Sequence, residues 1–583
     1  MRSCGSCIVH LLGDTTMRPH PMSWRALNMN DAAAAPDAQL THREVLVVMS
    51  GLMLGMLVAA LGQTVVATAL PTIVGELGGQ DQLAWVVSAT LLTSTASTPL
   101  WGKMSDLYGR RPLFQAAIVV FLVGSVLCGL SQTMGQLIGF RAVQGLGIGG
   151  LMALSQAIIG DIVSPRERGR YQGYIGSVFG VSSVGGPLIG GFLVDGPGWR
   201  WCFYVGVPIG IAAYVVTNRV LTMPFARRDH QIDYLGAALI VGGVSLLLLL
   251  LSLGGSEFEW GSTEIAGMAV GSAVLLTLAV VQERRAAEPI IPPRLFRIPT
   301  FRITSLAGFI VGVAMFGAIV YLPQYLQIVK GQSPTRSGLL TIPLMIGLMG
   351  MSIGSGRVIT RTGRYKVFPV VGLIVVAIGL SLFSLLGVDT PLPVAGAYML
   401  VLGAGLGMVM QVLVLAVQNA VEHRDLGTAT SAATFFRSMG GALGVAVFGA
   451  LLSNRLGRYI PERLAAAGVE DRAGGGDLLG TPDAIAALPG PVRDAVLGGF
   501  ADSLSDIYTI AIPIALVGFV VVLFLPELPL RTSVRDQEPV VTDGEAVSAA
   551  FETSFVDDNA DVPDLTESGV QAFDRQTDAT GNP

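Results

Sequence analysis

The sequence predicts an all-α polytopic membrane protein, and three observations carry that prediction. Hydrophobic residues make up 51% of the 583 residues and charged ones only 13%, about half the charged share of a soluble globular domain. Apolar runs of roughly the twenty residues that cross a bilayer as a helix recur along the chain. Basic residues gather in alternate short breaks between those runs, the asymmetry that sets orientation in a membrane.

Taken in order, the runs predict fourteen spanning helices, at 45–73, 84–101, 113–133, 136–160, 171–194, 202–222, 235–254, 263–282, 303–327, 337–356, 367–387, 392–417, 428–452 and 507–525. One set of alternate loops holds Lys103, Arg110 and Arg111; Arg166, Arg168 and Arg170; Arg219, Arg227 and Arg228; Arg284, Arg285, Arg294, Arg297 and Arg302; and Arg361, Arg364 and Lys366. The other set holds little beyond Arg200, Lys330 and Arg336. The first set, and with it both termini, is expected on the cytoplasmic side.

The remaining segments follow from composition. Residues 1–44 lack a sustained apolar core, so a disordered cytoplasmic tail is expected rather than a cleaved signal peptide, with Met17, Met22 and Met29 as alternative starts. Residues 453–505 are expected to form a long loop on the outer face, with room for partial helix. Residues 527–583, with thirteen acidic and three basic residues, are expected to form a disordered acidic cytoplasmic tail, which accounts for the net charge of −5. Cys128 and Cys202 fall inside apolar runs, and Cys4 and Cys7 form a CxxC with no second ligand pair at zinc spacing.

An internal repeat organises the chain. GKMSDLYGRR (102–111) and GRVITRTGRYK (356–366) share a glycine, a six-residue gap, a glycine and an arginine. Two related halves are implied. Their spacing of 254 residues is two helices more than a six-plus-six arrangement needs. The surplus at 235–283 reads as two helices inserted between six-helix bundles at 45–222 and 303–526.

Three stretches carry chemistry. In the first repeated loop, Gly102 and Gly109 permit close approach and tight turning, while Asp106 can accept hydrogen bonds from a neighbouring helix N-terminus or pair with Arg110 or Arg111. A cytoplasmic latch is expected there. IGFRAVQGLGIGG (138–150) sets Arg141, beside Gln144 and Gly145, in an otherwise apolar span, where an ionisable residue marks a functional site. GVSSVGGPLIGG (180–191) holds Gly180, Gly185, Gly186, Pro187, Gly190 and Gly191. The GxxxG spacing of Gly186 and Gly190 predicts tight helix contact, and Pro187 a kink.

Together these residues resemble the major facilitator superfamily, and within it the fourteen-helix drug:proton antiporters of the EmrB/QacA type, over about residues 45–530. The loop at 102–112 matches the superfamily's signature loop, LIGFRAVQGLGIGG its helix 4 motif, and GVSSVGGPLIGG the helix 5 motif of exporters. WRWCFYVGVPIG (199–210) and FFRSMGGALGVA (435–446) are similar to the branch's helices 6 and 13. The resemblance implies a major facilitator fold, two bundles rocking around a central cavity, a proton gradient as energy source with no cofactor, and a small amphiphilic substrate.

In the family the helix 4 arginine is associated with proton coupling, and helix 1 carries an aspartate shortly before a TxVxxALP-like run. Here ALGQTVVATALP (60–71) has Gly62 in that place. Arg141 must therefore find Gln63, Gln144, backbone carbonyls or water, or snorkel outward. Arg437, two turns into helix 13, could reach headgroups. No Asp or Glu falls in mid-span, and His10, His20, His42, His230 and His423 lie in tails or loops, which leaves Asp106, Asp161 and Asp195 as candidate proton carriers.

The expected cavity groups are Gln63, Gln324, Gln327, Gln411, Tyr321, Tyr325 and Arg437 together with Arg141. With no carboxylate among them, neutral or weakly acidic amphiphiles are expected to be preferred over dications. The function expected is proton-coupled export of amphiphilic drugs and antibiotics across the cytoplasmic membrane by a monomer embedded in the lipid bilayer. Export of an endogenous lipid, siderophore or self-made antibiotic is the alternative. Nothing in the sequence points to an enzyme or to nucleic acid as a partner: it shows no metal cluster, phosphate loop or nucleophile constellation.

Overall fold

Gly109 and Gly363, the second glycines of the two repeated loops, both take positive φ, 95° and 73°, a region open to glycine at little cost. The repeat in sequence is thus a repeat in chain direction: one glycine separates the second helix of the first half from the third, and the other ends the matching helix of the second half. The computed structural model describes residues 42–78, 82–221, 233–254, 258–466, 485 and 488–531. The N-terminal CxxC and the acidic tail from residue 532 onward lie outside the described residues.

The first half comprises α1 (His42–Leu77), α2 (Leu83–Tyr108), α3 (Arg110–Leu130), α4 (Met134–Ile162), α5 (Pro165–Asp195), the short α6 (Trp201–Tyr204) and α7 (Gly206–Val220). Two helices follow, α8 (Tyr234–Leu253) and α9 (Thr263–Arg285). The second half comprises α10 (Pro299–Ile319), α11 (Leu322–Gln324), α12 (Pro334–Leu340), α13 (Ile342–Thr362), α14 (Val367–Phe383), α15 (Leu392–Ala420), α16 (Leu426–Ala466) and α17 (Gly490–Leu523). Local chemistry sets several starts. Thr133, Asp233, Ser262 and Ser333 cap α4, α8, α9 and α12 through their side chains, and proline opens α5, α10 and α12.

The packing repeats as the sequence does. In the first half α1 packs on α5 and α7, and α4 on α2 and α3; in the second, α10 packs on α16 and α17, and α15 on α13 and α14. Two seams join the halves, α5 against α13 and α2 against α16. The inserted helices pack on each other, and α8 lies against both α2 and α16.

Each of the fourteen predicted ranges overlaps a helix. Twelve spans among the described residues are long and apolar enough to cross a membrane, and α14 is a shorter apolar helix. Helix α2 falls outside that set because seven serines and threonines lie between Ser88 and Thr98. Its hydroxyls bond its own carbonyls, as Thr98 does Ser94 at 2.7 Å, and its small residues meet glycines of α4.

Two boundaries differ from expectation. Helix α1 already begins at His42, inside the expected tail. Of the expected outer loop at 453–505 the described residues are largely helix, since α16 continues to Ala466 and α17 starts at Gly490. Arg463 with Asp502 (2.7 Å) and Arg455 with Asp506 (3.1 Å) tie the two extensions together. These charged pairs broke the apolar pattern without ending the helices.

Candidate functional site

At the end of the molecule that carries the basic loops, α2 finishes opposite the start of α16. Asp106 Oδ2 accepts hydrogen bonds from the backbone N–H of Thr428 (2.7 Å) and from its hydroxyl (2.6 Å). Thr428 lies in the first turn of α16, so a carboxylate of one half caps a helix of the other, at the positive end of its dipole. Asp106 Oδ1 pairs with Arg110 at 2.5 Å, and Arg110 Nε donates to Asp161 Oδ2 at 2.6 Å. Arg110 also donates to the Ser105 hydroxyl. Burial, the largest influence, pushes the Asp106 carboxyl above the ordinary aspartate value against the pull of Arg110 and Thr428. A Cβ on Gly102 would overlap Ser431 Oγ, and one on Gly427 would overlap the Arg110 guanidinium. The two helices therefore meet at backbone distance. Arg111 takes no part: it donates to the carbonyl and side chain of Asn218 on α7, both at 2.8 Å.

A second bridge lies beside the first. Buried Arg168 at the start of α5 donates to Val163 O (2.8 Å), to Gly160 O and to Gln418 Oε1 (3.3 Å). The Gln418 amide, on α15, donates to Gln156 O of α4 (3.0 Å) and to the Thr430 hydroxyl (3.3 Å).

Arg141 is 2% exposed and does not snorkel. Its Nε donates to Val86 O at 3.1 Å, and its Nη1 to Gly62 O at 3.0 Å and Gln144 Oε1 at 2.7 Å. Gln144 in turn donates to the Ser125 hydroxyl at 2.7 Å. Three helices thus solvate one guanidinium with neutral oxygens, and among the described residues no carboxylate pairs with it. Gln63, an expected partner, is exposed instead. Gly145 lets α4 approach α2, since a Cβ there would overlap Thr93 Oγ1.

The glycine-rich stretch of α5 has two working faces. Cβ atoms on Gly186 and Gly190 would overlap the Thr64 and Thr68 hydroxyls of α1, within the first half. Gly180, Pro187 and Gly191 face the second half. A Cβ on Gly180 would lie 3.0 Å from Met349 Sδ, one on Gly191 3.7 Å from Thr335 Oγ1, and one on Gly338 3.4 Å from Pro187. Gly185 has no close neighbour beyond its own helix, and α5 runs unbroken through Pro187.

This arrangement has relatives. The sequence pattern of the Major Facilitator Superfamily matches residues 52–445. The chain belongs to the major facilitator superfamily. An MFS-type transporter of Mycobacterium tuberculosis is 43% identical over 506 residues, 86% of this chain and 72% of that one. The multidrug transporter protein MdtP of Bacillus subtilis is 34% identical over 523 residues, 86% of this chain and 96% of that one. Among solved structures, the human organic anion transporter MFSD10 shares the fold with a TM-score of 0.55 at 15% identity, over 81% of this chain and 99% of that one. The proton:xylose symporter XylE does so at 0.53 and 14%, over 84% and 97%.

Within the superfamily fold the expected cavity groups separate. Gln324 is exposed, Arg437 half-buried, and Gln411 half-buried with an Oε1 that has no hydrogen-bond partner. Tyr321 and Tyr325 do not belong with them. Both are buried in the second half's core, where their hydroxyls donate to Val445 O (2.7 Å) and Gly387 O (3.0 Å). Asp195 is exposed at the end of α5, remote in sequence and structure from the Asp106 cluster. Sequence reading passed over Thr428, Gly427, Ser431 and Gln418, whose only signal was small or amide residues at the start of α16 and the end of α15. It also passed over Glu76, which accepts from Trp199 Nε1 (2.6 Å) and Arg200 (2.5 Å); these bonds, Arg200 first, hold its carboxyl below the ordinary value.

The chain after α17 returns across the same basic end. Tyr365 donates its hydroxyl to Pro526 O (2.9 Å) and accepts from Leu528 N–H (3.0 Å). Asn419 donates to Pro529 O (3.2 Å) and accepts from Arg531 N–H (3.1 Å). Arg531 O accepts from Arg166 N–H at the start of α5 (3.3 Å), so the strap reaches the first half. Because both side chains read backbone, Tyr365→Phe combined with Asn419→Ala is expected to release the segment. Limited proteolysis within 527–531 should accelerate several-fold, while Leu528→Ala alone leaves the rate unchanged.

Proposed function

We propose that this transporter is a proton-coupled exporter of amphiphilic small molecules, with fourteen spanning helices, both termini in the cytoplasm, and two bundles that alternate around a central cavity. The observation that carries the reading is the Asp106–Thr428 contact: two halves of repeated packing, held at the basic end by one capped helix and by Arg168 on Gln418, can part there without breaking either bundle. The names of the relatives, multidrug transporters and efflux pumps, support export as its direction. Arg437, Gln411, Gln324 and Gln63 are proposed as the cavity's polar groups, and the unit of function as a monomer that needs no cofactor.

Asp161 is proposed as the proton site. Asp161 shares Arg110 with Asp106 and lies beside buried Arg168. Asp161 Oδ1 is buried without a hydrogen bond, and His423 Nε2 lies 3.9 Å away. Energised-vesicle uptake with a panel of dyes and drugs, with and without a protonophore, tests the function. Uptake that the protonophore abolishes supports it; no uptake of any compound, or uptake indifferent to the protonophore, overturns it.

The missing helix 1 aspartate gives a specificity prediction. A Cβ at residue 62 would lie 3.0 Å from Phe121 Cε2, a small displacement for a ring, and the Gly62 carbonyl already touches Arg141. Gly62→Asp is expected to insert and to shift preference toward cations, because a carboxylate offsets the desolvation of a cationic ligand. Competition assays should show dications inhibiting the variant at lower concentration than the unaltered protein, which exports neutral amphiphiles better. Dications already the best substrates of the unaltered protein would refute the charge argument.

A further inference from the structure

The seam between α2 and α16 is shut at the basic end by Gly102, Asp106, Thr428 and Ser431, and it parts toward the opposite end, where α8 stands beside both. There the three helices line a half-open cavity of about 530 Å³, in the size range of small-molecule sites. None of the polar residues expected for the central cavity lines it. Leu91 of α2 and Leu248 of α8 form two walls; α16 presents Ala446 and Ala450, one turn apart, which leave the space unfilled. Ser88 of α2 and Ser252 of α8 line it as well, their hydroxyls 2.5 Å apart, and among the described residues no charged side chain does.

We propose that this cavity is a second ligand site, built jointly by both halves and the inserted α8, that takes the apolar body of an uncharged amphiphile and bonds its polar group through Ser88 and Ser252. The inference rests on the export reading and extends it. An ionic ligand would give up water for a lining that offers no counter-charge, which burial penalises heavily. A neutral one replaces water against leucine and alanine at no such cost. The two hydroxyls bond each other when the site is empty, and a hydroxyl both donates and accepts, so the pair can also bond a ligand's carbonyl or hydroxyl. Walls from α2 and α16 mean that any parting of the halves changes the site's volume, so occupancy follows the transport cycle. The third wall gives the inserted pair a role that two six-helix bundles by themselves do not supply.

The test uses the full chain in nanodiscs and the neutral fluorophore N-phenyl-1-naphthylamine. Ala446→Trp and Ala450→Trp, which fill the cavity from α16, are each expected to weaken binding at least about ten-fold with unchanged thermal unfolding, whereas Val270→Trp on the exposed face of α9 leaves it intact. Unchanged affinity in both tryptophan variants overturns the site. A dication that binds as tightly and is lost in the same variants overturns its assignment to uncharged ligands. A phospholipid retained by the unaltered protein in native mass spectrometry and lost in Ala446→Trp assigns the cavity to bilayer lipid and overturns it too. Should the tryptophan variants unfold, maleimide labelling of Ser252→Cys decides: protection by the fluorophore supports the site, and its absence sinks it. Fluorophore bound here but never transported by energised vesicles leaves the site standing and the export reading fallen; transport with binding insensitive to both tryptophans does the reverse.

Discussion

Asp106→Asn is expected to leave the protein folded in the membrane and to cut energised efflux at least about ten-fold. The asparagine keeps the shape and one acceptor, so Thr428 can still donate to it. It loses the charge that draws Arg110, and its amide N–H₂ turned toward Arg110 would set donor against donor. Hydrogen bonds to charged groups contribute roughly 1.5–3 kcal/mol each, and about 1.4 kcal/mol is a ten-fold change in an equilibrium. The two Thr428 bonds that cross the seam also lose their charged acceptor, and a two-state seam weakened by that much on one side only is displaced by about that factor. The folding cost is smaller, because Arg110 retains Asp161 and Ser105. Uptake normalised to membrane abundance is the measurement, and uptake equal to that of the unaltered protein would refute the latch.

Gly190→Leu and Pro187→Ala, three residues apart on one helix, are expected to fail in opposite ways. A Cβ at residue 190 would overlap Thr68 Oγ1 and lie 2.8 Å from the carbonyl of Val65. Backbone of α1 cannot yield as a side chain can, so leucine drives α1 from α5, and overpacking of this kind costs about 1–3 kcal/mol or more. Little folded protein should be recovered. Pro187 instead faces Gly338 across the seam between halves, where a Cβ on Gly338 would lie 3.4 Å from the proline ring. Alanine there removes ring atoms from a contact that the transport cycle remakes and leaves α1 against α5 untouched. Folded yield should stay near that of the unaltered protein while transport falls several-fold. Size-exclusion recovery beside vesicle uptake distinguishes the two; equal loss of yield and activity in both variants would mean that both faces serve packing alone.

Much of this was legible because a bilayer imposes simple rules. Apolar length, alternate basic loops and the repeated glycine frame are local in sequence, and from them follow the helices, the two related halves and the inserted pair. The latch was half legible. The carboxylate between two glycines announced a contact, and the choice between a helix N-terminus and an arginine was open; Asp106 makes both contacts at once. Arg141 likewise had several possible partners, and the structure satisfies it with Gln144 and two backbone carbonyls.

What the sequence by itself determined, then, is where the helical segments lie along the chain and the places where charge enters them. Their cause is the energetic cost of unpaired backbone and exposed charge in hydrocarbon, which each segment meets on its own. Which oxygens surround Arg141, which glycine meets which threonine, and which helix Asp106 caps were decided only by tertiary structure. Thr428 stands 322 residues from Asp106, and no periodicity spans that distance. The tyrosines show the same limit from the other side: Tyr321 and Tyr325 have the composition of cavity residues, yet the packing of α17, α14 and α16 turns them into the core, because a buried hydroxyl goes where a carbonyl can receive it.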